Sequence, residues 1–163
     1  VAVGEVGEIR IRSKANMLGY WNKPEETARA ITADGWLRTG DAAYRDEDGF
    51  IYMHDRYKDM IVSGAENIYP TEIENVLYQH SDVAQVAVIG VPHERWGETP
   101  KAFVVVRNGS HPSESELIAF TRAQLAHYKC PTSVAFVTQL PTNASGKILK
   151  KEMRNPEWLK ENA

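Results

Sequence analysis

Cysteine is nearly absent from this sequence: Cys130 is the single one among 163 residues. A lone cysteine excludes an internal disulfide and any zinc site built from several cysteines. It favours a reducing compartment, and we expect a cytoplasmic protein. Metal-ligand spacing is lacking as well, because the five histidines show no His-Glu-x-x-His pattern. We therefore expect surface or packing roles for the histidines and no metal site.

Long apolar runs and a large excess of one charge sign are also missing. No stretch approaches the roughly 18–20 apolar residues of a membrane span, so we expect no transmembrane segment. Nineteen basic and twenty-two acidic residues give a net charge of −3, which argues against a general nucleic-acid binder. The 42% of apolar and 25% of charged residues are typical of a folded chain and exclude disorder as the main state.

The start of the chain shows neither an initiator Met nor the layout of a signal peptide. Gly4–Gly7 leads directly into the alternating segment Glu8–Arg12, which is typical of a half-buried strand. We therefore expect this sequence to be part of a larger protein, and its function to be a share of that protein's function.

Residues 1–56 are predicted to be β-rich with one short helix. Pro24 opens the helix, since proline is tolerated in the first helical turn. Trp36–Arg38 is predicted as a short strand, with Thr39-Gly40-Asp41 following it as a turn. The acidic segment Asp46–Gly49 predicts the turn of a hairpin.

Residues 59–163 alternate between strand and helix patterns. Val83–Val91 and Lys101–Arg107 predict two strong strands. Ser113–Glu116 predicts a capping box, in which the two side chains each bind a free backbone N–H at a helix start. We predict an α+β chain with a boundary at residues 57–58, followed by a small mixed α/β domain whose sheet has about three main strands.

Three short segments each allow a structural and a functional interpretation. Thr39-Gly40-Asp41 fits a glycine turn, or a carboxylate that accepts hydrogen bonds from the two hydroxyls of a ribose. Lys147 ends the polar, glycine-containing loop Pro141–Lys147, and fits a solvated basic tail or a mobile charge that reaches an anion. Trp96 beside Arg95 fits packing on a sheet edge, or an aromatic ring and a cation offered to a planar base.

Three motifs, in this order and spacing, resemble the adenylate-forming enzymes: acyl-CoA synthetases, luciferases and peptide-synthetase adenylation domains. The motifs are Gly35–Asp41, Asp55–Glu74 and Leu140–Ile148. The resemblance covers nearly the whole chain and corresponds to the C-terminal portion of the family. It implies that residues 1–56 are the last β subdomain of a large AMP-binding domain, and that residues 59–163 are a mobile cap.

The resemblance implies a reaction in two steps. A carboxylate attacks the α-phosphate of ATP to give an acyl-adenylate and pyrophosphate, and the thiol of CoA then displaces AMP. It also implies that Lys147 acts in the first step, where charge builds on phosphate. Asp41 and Arg56 would hold the nucleotide, and Lys58 would be the hinge about which the cap rotates.

A second set of residues is implied to meet CoA after the rotation. Gly64 and Ala65 would line the path of the pantetheine chain, although many family members have two glycines there. Arg95, Trp96 and Tyr128 would lie near the CoA nucleotide. The implied cofactors are ATP or AMP, CoA and magnesium. The ligands of the magnesium ion would lie mainly on the large N-terminal domain, which would also bind the acid. The chain alone is therefore expected to be inactive.

The form of the second motif is most similar to acyl- and aryl-CoA synthetases, with fatty-acid-CoA ligases as the nearest. The implied partners are a carboxylic acid, ATP, CoA and the protein's own N-terminal domain. Two alternatives stay open: a ligase that loads a carrier protein, and a non-catalytic binding module. The residues implied near CoA favour an acyl-CoA synthetase over a ligase that loads a carrier protein. The presence of Asp41, Arg56 and Lys147 argues against a non-catalytic module.

Overall fold

The computed structural model describes residues 1–162, which form two compact units: Val1–Lys58 and the residues from Asp59 onward. The first unit is built on a three-stranded antiparallel sheet and the second on a five-stranded mixed sheet. Within residues 1–162, no helix has the length and apolar character needed to cross a membrane.

The first unit contains three strands and one helix: β1 (Gly7–Ile11), α1 (Pro24–Ala30), β2 (Leu37–Arg45) and β3 (Ile51–Arg56), with sheet order β1-β2-β3. The predicted hairpin is present, since β2 and β3 pair antiparallel and the Asp46 carboxylate accepts from the Phe50 N–H at 2.8 Å across the turn. The predicted short strand Trp36–Arg38 is wrong, because β2 continues to Arg45. Thr39-Gly40-Asp41 therefore lies inside a strand and not after it.

A bulge explains how β2 passes through a glycine without ending. Glu8 pairs with Ala42 and Arg10 with Arg38, so three residues of β2 oppose one residue of β1. Gly40 has a φ of +73°, a conformation that glycine adopts without steric cost. Glycine inside a strand often marks such a bulge, and bulges re-aim the side chains beside them.

The second unit alternates short strands and helices. After the 3-10 turn Tyr57–Asp59 at the boundary, its elements are β4 (Ile61–Ser63), β5 (Glu66–Ile68), α2 (Pro70–Leu77), β6 (Val83–His93), β7 (Gly97–Val106), α3 (Glu114–Arg122), the 3-10 turn His127–Lys129, β8 (Ser133–Phe136), α4 (Lys150–Met153) and α5 (Pro156–Asn162). The mixed α/β character is confirmed. The sheet has five strands instead of about three, because β4 and β5 are three-residue strands joined by a tight turn.

Strand β7 organises this sheet. It pairs antiparallel with β6 along its whole length, and on its other edge with β4 at Gly97 and parallel with β8 further on. Side chains of β6 alternate between two buried clusters: Val86 and Val88 join the first, Ala87 and Ile89 the second. Burial on both faces accounts for the continuous apolar run that predicted this strand.

Helix α3 begins with the predicted capping box. Ser113 Oγ accepts from the Glu116 N–H at 3.1 Å, and the Glu116 carboxylate accepts from the Ser113 N–H at 3.5 Å. Both bonds satisfy N–H groups that have no partner within the helix. Leu117 is fully buried one turn further on, so the buried face of α3 begins directly after the cap.

Candidate functional site

Asp41 and Arg56, the two residues predicted to hold a nucleotide, face each other across β2 and β3. They are direct partners in the strand register, and Arg56 Nε lies 3.1 Å from Asp41 Oδ1. The Asp41 side chain is 25% exposed and that of Arg56 46%, so solvent reaches both. A pair at this exposure contributes about 0–1 kcal/mol to stability. Its unused donors and acceptors can therefore bind a ligand at little cost to the fold.

The bulge fixes the backbone that carries Asp41. Thr39 Oγ1 donates to the Ile9 carbonyl at 2.8 Å and accepts from the Asp41 N–H at 3.1 Å. The local hydrogen bond across Gly40 is thus accepted by the Thr39 side chain. As a result, the Asp41 carboxylate is directed to Arg56 and is not used to close a turn.

Lys147 lies on an ordered hairpin. Thr142 and Ile148 form a β-bridge, the Asn143 N–H donates to the Lys147 carbonyl at 3.0 Å, and the Gly146 N–H donates to the Asn143 carbonyl at 2.9 Å. The Lys147 side chain is exposed, and within residues 1–162 it forms no ion pair. The loop thus presents an ammonium group to solvent on a closed stem.

Asn143 is the residue that orders this hairpin, and it is not among the residues predicted from the sequence. Its Oδ1 accepts from the Ser145 N–H at 3.1 Å, the Ser145 hydroxyl at 2.8 Å and the Lys147 N–H at 2.9 Å. Hydrogen bonds to the Asn143 side chain thus close the tip of this glycine-containing loop. The available signal was an asparagine two residues before a serine, a pattern that commonly closes Asx turns.

Replacing Asn143 by alanine should loosen the hairpin without unfolding the unit. Each lost hydrogen bond contributes about 1 kcal/mol, so we expect the amides of Ser145 and Lys147 to exchange with solvent roughly five- to tenfold faster. Asn143→Asp is the control, because it keeps an acceptor oxygen in place. NMR measures the exchange rates of these amides. Rates in Asn143→Ala equal to those of the unaltered chain would contradict this role of Asn143.

Gly64, Arg95 and Trp96 form one surface where β4 meets β7. The Gly64 N–H donates to the Trp96 carbonyl at 2.7 Å, and the Arg95 guanidinium lies 4.4 Å from the centre of the Trp96 ring. Gly64 has a φ of +63°, and a Cβ placed there would lie 3.1 Å from Trp96 Cε3. Trp96 therefore packs on the sheet edge and, being 43% exposed, also offers its ring and a stacked cation to a ligand.

His93 shapes the turn that carries this surface. Its Nδ1 accepts from the N–H groups of Arg95 and Trp96 at 3.2 and 3.3 Å. The sequence predicts a surface or packing role for His93, and the structure adds that it positions the two residues predicted near CoA.

Tyr128 is exposed on the 3-10 turn His127–Lys129. Lys129 holds this turn against α2, with Nζ 2.8 and 2.9 Å from the two Glu72 oxygens, and the hydrogen bond to Glu72 raises the pKa of Lys129. In the described part of the chain, no hydrogen bond or ring contact joins Tyr128 to Arg95 or Trp96. The structure thus brings together Gly64, Arg95 and Trp96, and leaves Tyr128 as a separate prediction.

His80, Asp82 and Glu116 place possible metal-ligand atoms within 4.8 Å of one another. The Asp82 N–H donates to His80 Nδ1 at 3.2 Å, so a neutral ring carries its proton on Nε2, which lies 3.8 Å from a Glu116 oxygen. A metal would need the lone pair of that nitrogen. The arrangement therefore fits a contact between His80 and Glu116 better than it fits a metal ion.

Residues 72–147 match the family model of the AMP-binding enzyme C-terminal domain. The chain is 48% identical to the fatty acid–[acyl-carrier-protein] ligase ScoC of Streptomyces coeruleorubidus, a match that covers 95% of this chain and 30% of that protein. It is 53% identical to a feruloyl-CoA synthase of Amycolatopsis sp, over 94% of this chain and 31% of that protein. The chain thus spans just under a third of the length of these curated relatives.

Solved structures agree with this relationship. ATP-bound MatB from Rhodopseudomonas palustris superposes with a TM-score of 0.90 at 35% identity, covering 97% of this chain and 31% of that one. The o-succinylbenzoate CoA synthetase MenE from Bacillus subtilis, in complex with its acyl-adenylate intermediate, superposes with a TM-score of 0.86 at 37% identity, covering 95% and 31%. The chain belongs to the adenylate-forming, AMP-binding enzymes, and residues 72–147 are its AMP-binding enzyme C-terminal domain.

Proposed function

We propose that this chain is the C-terminal part of an ATP-dependent acyl-CoA synthetase. The observation that carries the proposal is Lys147, an exposed cation without an ion pair in the described chain, held on an ordered hairpin. In this proposal residues 1–56 complete the large AMP-binding domain, residues 57–58 are the hinge and residues 59–163 are the cap. The cytoplasm is the proposed compartment, because the single cysteine fits a reducing environment.

In the first step, a carboxylate oxygen attacks the α-phosphorus of ATP and pyrophosphate leaves. Negative charge spreads over the phosphate oxygens in the transition state, and a preorganised ammonium stabilises it most effectively. Asn143 orders the backbone of Lys147, so the point from which this side chain would reach the phosphate is already fixed. Asp41 would accept hydrogen bonds from the ribose hydroxyls, while Arg56 holds the Asp41 carboxylate and contacts the nucleotide.

In the second step, the CoA thiol attacks the acyl carbon and AMP leaves. Gly64 lacks a side chain and so lets the thin pantetheine chain approach the backbone closely. Ala65 follows it in the same exposed turn. The Trp96 ring offers a flat surface to the adenine of CoA. The Arg95 guanidinium, stacked on this ring, offers a positive charge to the phosphates of the same nucleotide. Tyr128 would contact the same nucleotide.

The magnesium ion that accompanies ATP is assigned to the remainder of the protein. Magnesium prefers an octahedral set of oxygen ligands. The group formed by His80, Asp82 and Glu116 contains a ring nitrogen, and its Nδ1 already accepts a backbone hydrogen bond. These residues do not fit the magnesium site, so no step of the reaction is routed through them.

A fatty acid is the first candidate for the carboxylic acid. A long-chain-fatty-acid–CoA ligase of Bacillus subtilis is 50% identical over 94% of this chain, which supports the choice. A carrier protein is the alternative acyl acceptor, favoured by the likeness to ScoC. Arg95 and Trp96 favour free CoA, because their exposed surface suits an adenine nucleotide that a carrier-bound phosphopantetheine lacks.

The test supplies the full-length protein with ATP, magnesium and a panel of fatty and aryl acids. One arm contains CoA and the other a phosphopantetheinylated carrier protein, and mass spectrometry detects the thioesters. We expect acyl-CoA from the full-length protein and no product from the 163-residue chain alone. A thioester formed only on the carrier would establish the alternative, and the absence of AMP with every acid and acceptor would indicate a non-catalytic module.

Gly64→Ala should weaken the use of CoA while leaving adenylate formation intact. The new methyl group meets Trp96, and a φ of +63° costs a non-glycine residue about 1–2 kcal/mol. We expect the KM for CoA to rise about tenfold, which equals 1.4 kcal/mol of binding energy.

Gly109→Ala is the matched control for this prediction. Gly109 also has a positive φ of +82°, but nothing lies within 4 Å of an added Cβ. Both variants should lose similar stability in urea unfolding, and Gly64→Ala alone should change the KM for CoA. An equal change of that KM in both variants would remove Gly64 from the CoA path.

A further inference from the structure

Helix α4 directly follows the Lys147 hairpin and is held by an ion pair at each end. At its start, Lys150 Nζ lies 2.7 Å from Glu74 Oε1, and the two side chains are 15% and 14% exposed. At its C-terminal cap, Arg154 Nη1 donates to Asp59 Oδ1 at 2.9 Å, and these side chains are 35% and 13% exposed. Both partners of α4 are far away in the sequence.

These contacts determine where α4 sits. A helix of four residues has almost no stability of its own, so tertiary contacts must hold it. The Glu74 oxygen that binds Lys150 also accepts from the Val88 N–H at 2.7 Å, which fixes the start of α4 to strand β6. Met153 is fully buried in the second core cluster. The Lys147 hairpin thus ends on a helix that is fixed to the core of the second unit.

The partner of Arg154 is next to the proposed hinge, because Asp59 is the residue immediately after Lys58. It is also the last residue of the 3-10 turn Tyr57–Asp59. An ion pair at Asp59 holds the first residue of the second unit against α4. A change in backbone dihedrals that turns the unit must therefore occur at Lys58 or before it, if this pair stays closed.

We propose that Arg154 is a positioning residue for Lys147. Its ion pair with Asp59 ties α4, and through α4 the Lys147 hairpin, to the chain just beyond the hinge. This inference rests on the proposed function, in which rotation about Lys58 brings Lys147 to the α-phosphate. With the pair intact, the direction in which the chain leaves Lys58 sets the orientation of the hairpin. Without it, the hairpin loses one of its two ionic anchors.

The link should affect only one of the two half-reactions. The surface of Gly64, Arg95 and Trp96 is held by pairing among β4, β6 and β7, and no hydrogen bond or ion pair connects it to α4 in the described residues. Loosening α4 therefore displaces Lys147 and leaves the CoA surface in place. A merely structural loss would lower both half-reactions together by reducing the folded fraction.

The kinetic arm of the test uses the full-length protein with Arg154→Gln. We expect acyl-adenylate formation to slow about tenfold or more, with thioester formation from supplied acyl-adenylate unchanged within about twofold. Arg154→Lys keeps the charge and should recover much of the rate. Arg107→Gln is the control, because Arg107 is an exposed arginine of the same unit outside every ion pair described above.

A double variant tests whether the pair is the cause. Asp59→Asn should reproduce the effect of Arg154→Gln, and combining the two should slow adenylation no further than either alone, because partners in one interaction are not additive. Equal loss in both half-reactions, or fully additive effects of the two substitutions, would overturn the proposal.

Amide exchange in the 163-residue chain tests the link without any activity. Arg154→Gln should speed exchange of the hairpin amides of Asn143 and Lys147, while amides in the middle of β6 stay protected. Unchanged exchange at the hairpin would overturn the proposal. If the wild-type full-length protein forms no acyl-adenylate, the proposed function fails, and the exchange result still decides whether Arg154 holds the hairpin.

Discussion

Lys147→Ala in the full-length protein is expected to slow acyl-adenylate formation by about 10²–10³ or more, since this is the effect of removing one preorganised transition-state contact. Thioester formation from supplied acyl-adenylate and CoA should stay close to wild type. In the proposed reaction, the second step breaks the bond to AMP after the cap has turned, and Lys147 has then left the phosphate. The loss should therefore be confined to the first half-reaction.

Single-turnover assays of each half-reaction measure this effect. Lys151→Ala is the matched control, because Lys151 is an exposed lysine four residues further along the chain. It should leave both half-reactions unchanged. A Lys147→Ala variant that slows both steps equally would show a structural role, and one that retains full adenylation would remove Lys147 from the reaction.

Lys58→Pro is expected to have the second large effect, a loss of thioester formation by orders of magnitude. Proline fixes its own φ near −65° and disfavours a helical conformation of the residue before it, here Tyr57. Tyr57 lies in the 3-10 turn Tyr57–Asp59, so the substitution acts directly on the backbone of the proposed hinge. A hinge works by changing a few dihedrals without repacking either core.

The proline variant should hold one orientation of the cap and so retain one half-reaction. If it holds the adenylating orientation, acyl-adenylate accumulates while the CoA thioester hardly forms. Lys58→Ala is the control and should be mild, because the backbone turns and the ammonium takes no part. A proline variant that keeps both half-reactions, or an alanine variant as impaired as the proline variant, would refute the hinge.

Local patterns in the sequence predicted the elements whose cause is local. The capping box of Ser113 and Glu116 depends on residues three apart, and the acidic hairpin turn lies within four residues, so neither needs knowledge of the rest of the chain. The continuous apolar run of β6 reflects burial on both faces. The bulge at Gly40 was missed because a glycine marks a turn and a bulge equally well.

Contacts between distant residues could not be predicted in the same way. Asp41 and Arg56 meet because of the register of two strands, and a shift of one residue would turn one of the two side chains to the other face. Asp59 and Arg154 are joined only by the packing of the whole unit. Asn143 differs, since its effect is local and its position before Ser145 was a usable signal.

The family resemblance assigned roles to residues that the local patterns left open. Asp41, Lys147 and Trp96 each had a structural interpretation of equal or greater weight when taken alone. The structure adds the surroundings of these residues: Arg56 as a partner of Asp41, an ordered hairpin that carries Lys147, and Gly64 in contact range of the Trp96 ring. Each of these surroundings suits the proposed chemistry, and each defines a variant that tests it.

The fate of the carboxylate oxygen tests the proposed reaction most directly. The full-length protein is supplied with ATP, magnesium, CoA and a carboxylic acid whose two carboxylate oxygens are oxygen-18. If a carboxylate oxygen attacks the α-phosphorus and the CoA thiol then displaces AMP, one labelled oxygen leaves the acid and remains on AMP. We predict AMP carrying one oxygen-18 atom beside unlabelled pyrophosphate. Unlabelled AMP, or label released in phosphate or pyrophosphate, would contradict the account.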